Sequence, residues 1–415
     1  MYKDTPARHR LATSAFVTLA ISGLLLAGCS SSSGEASQDT GTDPTTSSDG
    51  HCGTVPEIGA NDPNGFLDGF SETATAAFNG YSSEIKESAW SDWKPDHEGP
   101  YTAALVTNPP NPFISALLES LRATLEENGV EIIADYVPVS YADVPQQLQQ
   151  FEEAISKKPD IIYFLPLATD PSLEVIKAAA EANIPVVSLQ TPVDSEYAVT
   201  VSHNATLQAM TTGAQVLDSM GGEGSVLRVD GIPGTTAASF AAEGFDNVLE
   251  LCPNVTVAGE ITGNFENGAA QDETLKFLSA NPTPVGGVLH AGTMGVGIRQ
   301  AFLETGRELP PIADMGASQG FISWAMQNPD YPYVGTASAI ESMGANMADV
   351  GLRILDGEGP KVNHLITTTY IVNQDNIADY GDDSWDITDN TDFEGDPSGY
   401  FPEETLNEFF NNPSN

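Results

Sequence analysis

Positive charge is scarce in this sequence: Lys and Arg number 15 in 415 residues against 58 Asp and Glu, a formal net charge of −43 at pH 7. A nucleic-acid binder needs a basic surface to neutralise phosphates, so that class is excluded. Cysteine occurs three times, and the six histidines are scattered. There is no Walker A sequence, no His-Glu-x-x-His and no Cys-x-x-Cys, so neither a metal site nor a cofactor is expected. Beyond the N-terminus, no stretch reaches the roughly 18 consecutive apolar residues of a spanning helix. What is present is a chain with 40% hydrophobic residues, 38 Gly and 28 Pro, and only 18% charged residues. That is enough apolar material for one or two cores, and it excludes a disordered acidic polymer.

At the N-terminus, Lys3, Arg8 and Arg10 precede an apolar run over 11–26 that closes on Leu26-Ala27-Gly28-Cys29. Charged, apolar and small-residue regions in that order define a signal peptide. The small residues ending in cysteine resemble the lipobox of bacterial lipoproteins, which implies cleavage before Cys29 and lipidation of that cysteine. Residues 30–50 are almost all Ser, Thr, Gly, Asp and Gln, a flexible solvated tether. Export to an oxidising compartment permits a disulfide between the remaining cysteines, Cys52 and Cys252; the alternative is two unpaired thiols.

From residue 101 to about 372, short apolar runs alternate with helical patterns. Strands are expected at 103–107, 132–137, 161–165 and 185–189, separated by helices at 112–128, 144–155 and 173–182. Phe113, Leu117, Leu121 and Leu125 share one stripe of the first helix. The pattern restarts with a helix at 204–220 and strands at 225–229, 255–261, 287–290, 312–315 and 333–338. Strands that are continuously apolar rather than alternating belong to parallel sheets covered on both faces. About 270 residues of such units exceed what one core accommodates, so the fold class is α/β with two doubly wound lobes. Ligands of such sheets bind at the carboxyl ends of the strands.

The run Ala104-Leu105-Val106-Thr107-Asn108-Pro109-Pro110-Asn111-Pro112-Phe113, then Ala182-Asn183-Ile184-Pro185-Val186-Val187, then Gly231-Ile232-Pro233-Gly234-Thr235-Thr236-Ala237-Ala238 with Glu243-Gly244-Phe245, is similar to the ribose-binding branch of type 1 periplasmic binding proteins. The resemblance implies two lobes joined by a three-crossing hinge, a small ligand trapped between them, and delivery to an ABC transporter permease by a protein anchored on the outer face of the membrane. It divides the chain into a signal peptide (1–28), a tether (29–52), an N-terminal extension (53–100), a first lobe (101–203 with 339–366), a second lobe (204–338 with 367–373) and an acidic tail (374–415). A monomer is expected.

The resemblance also implies a contact set: Thr107, Asn111, Phe113, Gln190, Phe265, Thr293, Met294 and Asp314. A sugar needs polar partners for its edge and an aromatic face for its C–H surface. The departures from the family are informative. Gln190-Thr191 stands where the family has an Asp-Arg pair, Ala241 where it has an arginine, Gly292-Thr293 where it has Asn-Asp, and Ala339 where it has a glutamine; Asp314 is shifted by one position. With most charge-assisted partners of a vicinal diol missing, a neutral, less polar cleft is expected, holding a small neutral ligand that is either a sugar or sugar-like molecule with few gripped hydroxyls or a non-sugar such as a cyclic or aromatic alcohol.

Two other classes compete. Gly316-Ala317-Ser318-Gln319-Gly320 fits a nucleophile elbow, with Asp349 or Asp356 and then His364 downstream in hydrolase order. An adhesion or sensor lipoprotein would bind no small molecule at all. The tail after Val372 holds twelve carboxylates and no Lys or Arg, with Asp383, Asp386, Asp389 and Asp392 at every third residue. That spacing does not match an EF-hand, so a solvated tail is expected, part of it docked through Tyr400, Phe401, Leu406, Phe409 and Phe410.

Overall fold

Continuous apolar runs become two parallel sheets. The computed structural model describes residues 51–415 apart from Ser338, Glu394, 396–399, Ser414 and Asn415, and apart from the side chain of Pro112; Phe113 is half-buried against the first-lobe core. The signal sequence, Cys29 and nearly all of the tether lie outside the described residues. The first sheet holds β1 (Thr102–Val106), β2 (Glu131–Tyr136), β3 (Ile161–Phe164), β4 (Val186–Leu189) and β5 (Ala198–His203). The chain then builds the second sheet from β6 (Gly224–Asp230), β7 (Val255–Thr262), β8 (Gly287–His290), β9 (Ile312–Asp314) and β10 (Val334–Thr336). It returns to the first sheet as β11 (His364–Thr367) and ends in the second as β12 (Ile371–Asn373). Both sheets are six-stranded, in the orders β11-β5-β4-β3-β1-β2 and β12-β10-β9-β8-β6-β7. The two orders are one topology used twice, and only β12 pairs antiparallel. The chain passes between lobes after β5, after β10 and after β11, the three-crossing hinge.

Every residue of β3, β4, β8 and β9 is buried, the signature of strands covered on both faces. The helix expected at 112–128 spans Pro112–Glu127, capped by Asn111 and ended before Gly129, whose φ of 74° only glycine adopts freely. Its Leu117, Leu121 and Leu125 are fully buried against helix Ile340–Leu355. Gly344 makes that contact, since a Cβ there would stand 2.2 Å from the Leu117 carbonyl oxygen. β5 and β11 carry polar residues in their runs and lie outside the apolar-strand pattern. In β5, Thr200 is completely buried and Ser202 nearly so, with Ser202 Oγ donating to the Gln190 carbonyl at 2.7 Å. Among the described residues no helix is long and apolar enough to cross a membrane.

The aromatic end of the tail docks as expected, and the expectation that the rest is solvated is corrected by residues 383–393. Tyr400, Phe401, Leu406, Phe409 and Phe410 are all at most 5% exposed and share the first-lobe core with Leu67, Phe78, Tyr81, Ile85 and Trp90 of the extension. Phe409 packs on Phe70 at 4.9 Å between ring centroids, and the Arg353 guanidinium sits 4.2 Å over Phe410. Residues 383–393 pack instead on the second lobe, where Phe393 is buried. The extension likewise begins on the second lobe, at a Cys52–Cys252 disulfide, and packs into the first from Leu67 onward; Trp90 donates to the Tyr197 carbonyl at 2.9 Å.

Two Tyr–His pairs fasten these flanks to the hinge strands: Tyr81 Oη lies 3.0 Å from His364 Nδ1 in β11, and Tyr400 Oη 3.3 Å from His203 Nδ1 in β5. Burial lowers the His364 pKa to about 3 and that of His203, whose edge is partly exposed, to about 4. The folded protein therefore keeps both neutral where the unfolded chain, with histidines near 6.5, takes up protons. Their stability contribution is complete above pH 6.5 and declines as pH falls toward 4, by about 2 kcal/mol per histidine at pH 5. Burial raises Asp194 and Asp349, which act in the opposite direction over the lower carboxylate range. The melting temperature is expected to fall between pH 7 and pH 5; a rise over that interval would refute the assignment.

Candidate ligand-binding cleft

Because the strands are parallel, their carboxyl ends share one edge of each sheet, and crevices open where the strand order reverses. These switch points lie between β1 and β3 in the first lobe and between β6 and β8 in the second.

In the first lobe the switch point is spanned by Gln147, a fully buried side chain of helix Val144–Ser156. Its Nε2 donates to the Thr107 carbonyl (3.1 Å), Asn108 Oδ1 (3.1 Å) and the Leu165 carbonyl (2.9 Å), and its Oε1 accepts from Leu167 N at 2.8 Å. One amide thus fixes the loops after β1 and β3. Thr107 stands there fully buried, its Oγ1 without a protein hydrogen-bond partner. Asn111 Oδ1 is spent capping its helix through Ile114 N at 2.8 Å, while its Nδ2 reaches Tyr141 Oη at 3.2 Å. Phe113 lies in the first turn of that helix. Gln190, after β4, has a φ of 61°, and its side-chain amide touches Met343 Sδ. Replacing Gln147 with Leu strands two carbonyls and one amide, and we expect a loss of roughly 3 kcal/mol in urea denaturation; an unchanged midpoint would contradict this role.

In the second lobe Phe265 spans the switch point. Its half-buried ring covers Gly231, after β6, and Gly292, after β8; a Cβ on those residues would stand 2.0 Å and 2.6 Å from the ring. Glycine is therefore required beneath the aromatic plate. Asn264 and Phe265 both have left-handed φ, 56° and 58°, as does Ala339 (43°) at the second crossing. The other non-glycine cases, Lys158 and Asn183, follow helix ends, where that conformation is ordinary. Among the described residues, left-handed non-glycine backbone away from helix ends is thus confined to the carboxyl edges of the sheets and the hinge, the kind of placement expected for strain held at functional sites.

Thr293 lies on the same rim, its Oγ1 donating to Asp392 Oδ1 of the tail at 2.7 Å. Two further residues of the expected set are buried in this structure. Met294 is fully buried, its sulfur packed toward Gly263. Asp314 is fully buried as well: Oδ2 accepts from Tyr333 Oη at 2.8 Å and Oδ1 lies 3.2 Å from His290 Nε2. Nearby Arg299, also inaccessible, is lowered to about 10 by burial, which Asp314 opposes. Both side chains turn beneath the rim because the pleat and the helix entry at Gly295 point them inward, which residue type alone does not reveal.

A cavity of about 230 Å³ opens beside this edge, lined by Thr169 and Asp194 of the first lobe, Thr236 and Phe240 of the second, and Ser82 of the extension. None of the expected contact residues lines it. The hydrolase elements do not converge: Ser318 is buried in the second lobe, whereas His364 is committed to Tyr81 within the first sheet.

Two parallel-sheet lobes, each with one switch point, are thus joined by a three-crossing hinge. Residues 102–359 match the family described as periplasmic binding protein domain. The chain belongs to the type 1 periplasmic binding protein family, in its ribose-binding-like branch. It is 22% identical over 270 residues to the xylitol-binding protein of Mycolicibacterium smegmatis, covering 64% of this chain and 75% of that one. It is 20% identical over 214 residues to the ribose import binding protein of Bacillus subtilis, covering 51% and 68% respectively. The solved solute-binding protein of Bacillus halodurans with bound myo-inositol superposes with a TM-score of 0.59 at 18% identity, covering 69% of this chain and 98% of that one.

Proposed function

We propose that this chain is an extracytoplasmic solute-binding protein, lipid-anchored through Cys29, that captures a small neutral polyhydroxylated ligand by hinge closure and delivers it to an ABC importer. The observation that carries the reading is the Phe265 plate across the second-lobe switch point, opposite a first-lobe switch point whose loops are fixed by Gln147. An aromatic face takes the C–H surface of a polyol; Thr107, Asn111 and Gln190 supply uncharged polar groups for its edge. Closure is a population shift driven by contacts made to both lobes at once. Relatives named for xylitol and ribose, and a fold neighbour holding myo-inositol, support a ligand of this chemistry.

A thermal-shift panel of xylitol, D-ribose, D-galactose, myo-inositol and charged amino acids tests it. Binding to the folded form raises the melting temperature by mass action, about 2.7 kcal/mol at 100 times Kd. A polyol is expected to stabilise. Stabilisation by an amino acid alone, with none by any of the four neutral probes, would overturn the ligand class.

A further inference from the structure

The acidic segment after β12 reaches the rim of the cleft. Gly320 N donates to the Asp389 carbonyl at 3.1 Å, Gln319 N to the Thr391 carbonyl at 2.9 Å, and Phe393 N to the Ala317 carbonyl at 2.9 Å. Arg299 also donates to the Ile387 carbonyl. These bonds lay residues 387–393 along the loop that follows β9, at the carboxyl edge of the second sheet. Ser318 and Asp392 form an antiparallel bridge, and the side chain of Phe393 is buried in the second-lobe core. In extended chain, neighbouring side chains point to opposite faces, so Asp392 is turned away from that core. Its carboxylate accepts the 2.7 Å hydrogen bond from Thr293, the residue next to Gly292, on whose backbone the Phe265 ring lies.

The loop after β8 carries no carboxylate of its own, only Gly292-Thr293, and Asp314 is sealed beneath the rim. We propose that Asp392 is a ligand-binding residue: the C-terminal segment supplies the cleft with the carboxylate its own loops lack, aimed by Thr293 beside the aromatic plate. A carboxylate there accepts hydrogen bonds from adjacent hydroxyls of a polyol, and such charge-assisted bonds are stronger than those of neutral partners. This inference rests on the solute-binding reading above and deepens it, making the tail part of the specificity of the site.

Calorimetric titration of the folded chain with xylitol, D-ribose and myo-inositol tests it. Whichever probe binds the parent is expected to bind Asp392→Asn about 10- to 100-fold more weakly, with the ligand-free melting temperature unchanged. Thr293→Val, which keeps the charge but removes the hydroxyl that aims it, is expected to give a smaller loss in the same direction. Parental affinity in both variants would overturn the proposal and leave the solute-binding reading standing. Weakened binding accompanied by an equally lowered melting temperature in both variants would assign the pair to anchoring the tail and also overturn it. Absence of binding by the parent to all three probes would overturn this proposal and the polyol reading together.

Discussion

Truncation after Asn373 is expected to leave a chain that aggregates or binds hydrophobic dye, despite removing a segment rich in carboxylates. It takes away Phe393, Tyr400, Phe401, Leu406, Phe409 and Phe410, each at most 5% exposed. At about 1.5–3 kcal/mol for each buried side chain, the loss is on the order of 10 kcal/mol, an upper estimate that is comparable with the whole stability of a domain. It also uncovers Phe70 and Phe78 in the first lobe and strips Arg353 of its contacts with Asn407 and Phe410. The check is the thermal transition of the truncated chain; a soluble product melting with the parent would contradict the packing described.

Asp314→Ala is expected to cost about 3–5 kcal/mol, the usual consequence of removing one member of a buried charged group. The carboxylate accepts from Tyr333, adjoins His290 and offsets the desolvated Arg299, which is held over Phe321 and Trp324 at 5.4 and 5.5 Å. Its removal leaves a phenol without its acceptor and a guanidinium without the negative charge that opposes its desolvation. Urea denaturation measures the loss. The opposite pattern, parental stability with abolished ligand binding, would return Asp314 to the cleft.

The two-lobed architecture was legible in the sequence because buried parallel strands are written as uninterrupted apolar runs, as in Ile161–Phe164 and Val186–Leu189. β5 was not, because Thr200 and Ser202 break the run and are satisfied by partners in neighbouring strands and loops. At the site, the position of Phe265 could be read from resemblance, and Gly231 and Gly292 were an available signal for the plate it forms. The inward turn of Met294 and Asp314 could not be read, since side-chain direction at a strand end depends on pleat and helix entry rather than residue type. Gln147 sits among other glutamines on an amphipathic helix, and only tertiary pairing separates it from its solvated neighbours. The Thr293–Asp392 contact joins residues 99 apart, beyond any local pattern. In the tail, charge density pointed to solvent while the sparse aromatics decided the packing.

The central claim, that the facing switch points enclose a small neutral polyhydroxylated solute, is tested most directly by a crystal structure of the protein with the molecule that co-purifies in it or with its best-stabilising probe. The expected result is closed lobes with a polyol lying on the Phe265 ring and bonded to the loops after β1 and β8. A charged ligand in that place, or a neutral one bound away from Phe265, would contradict the account.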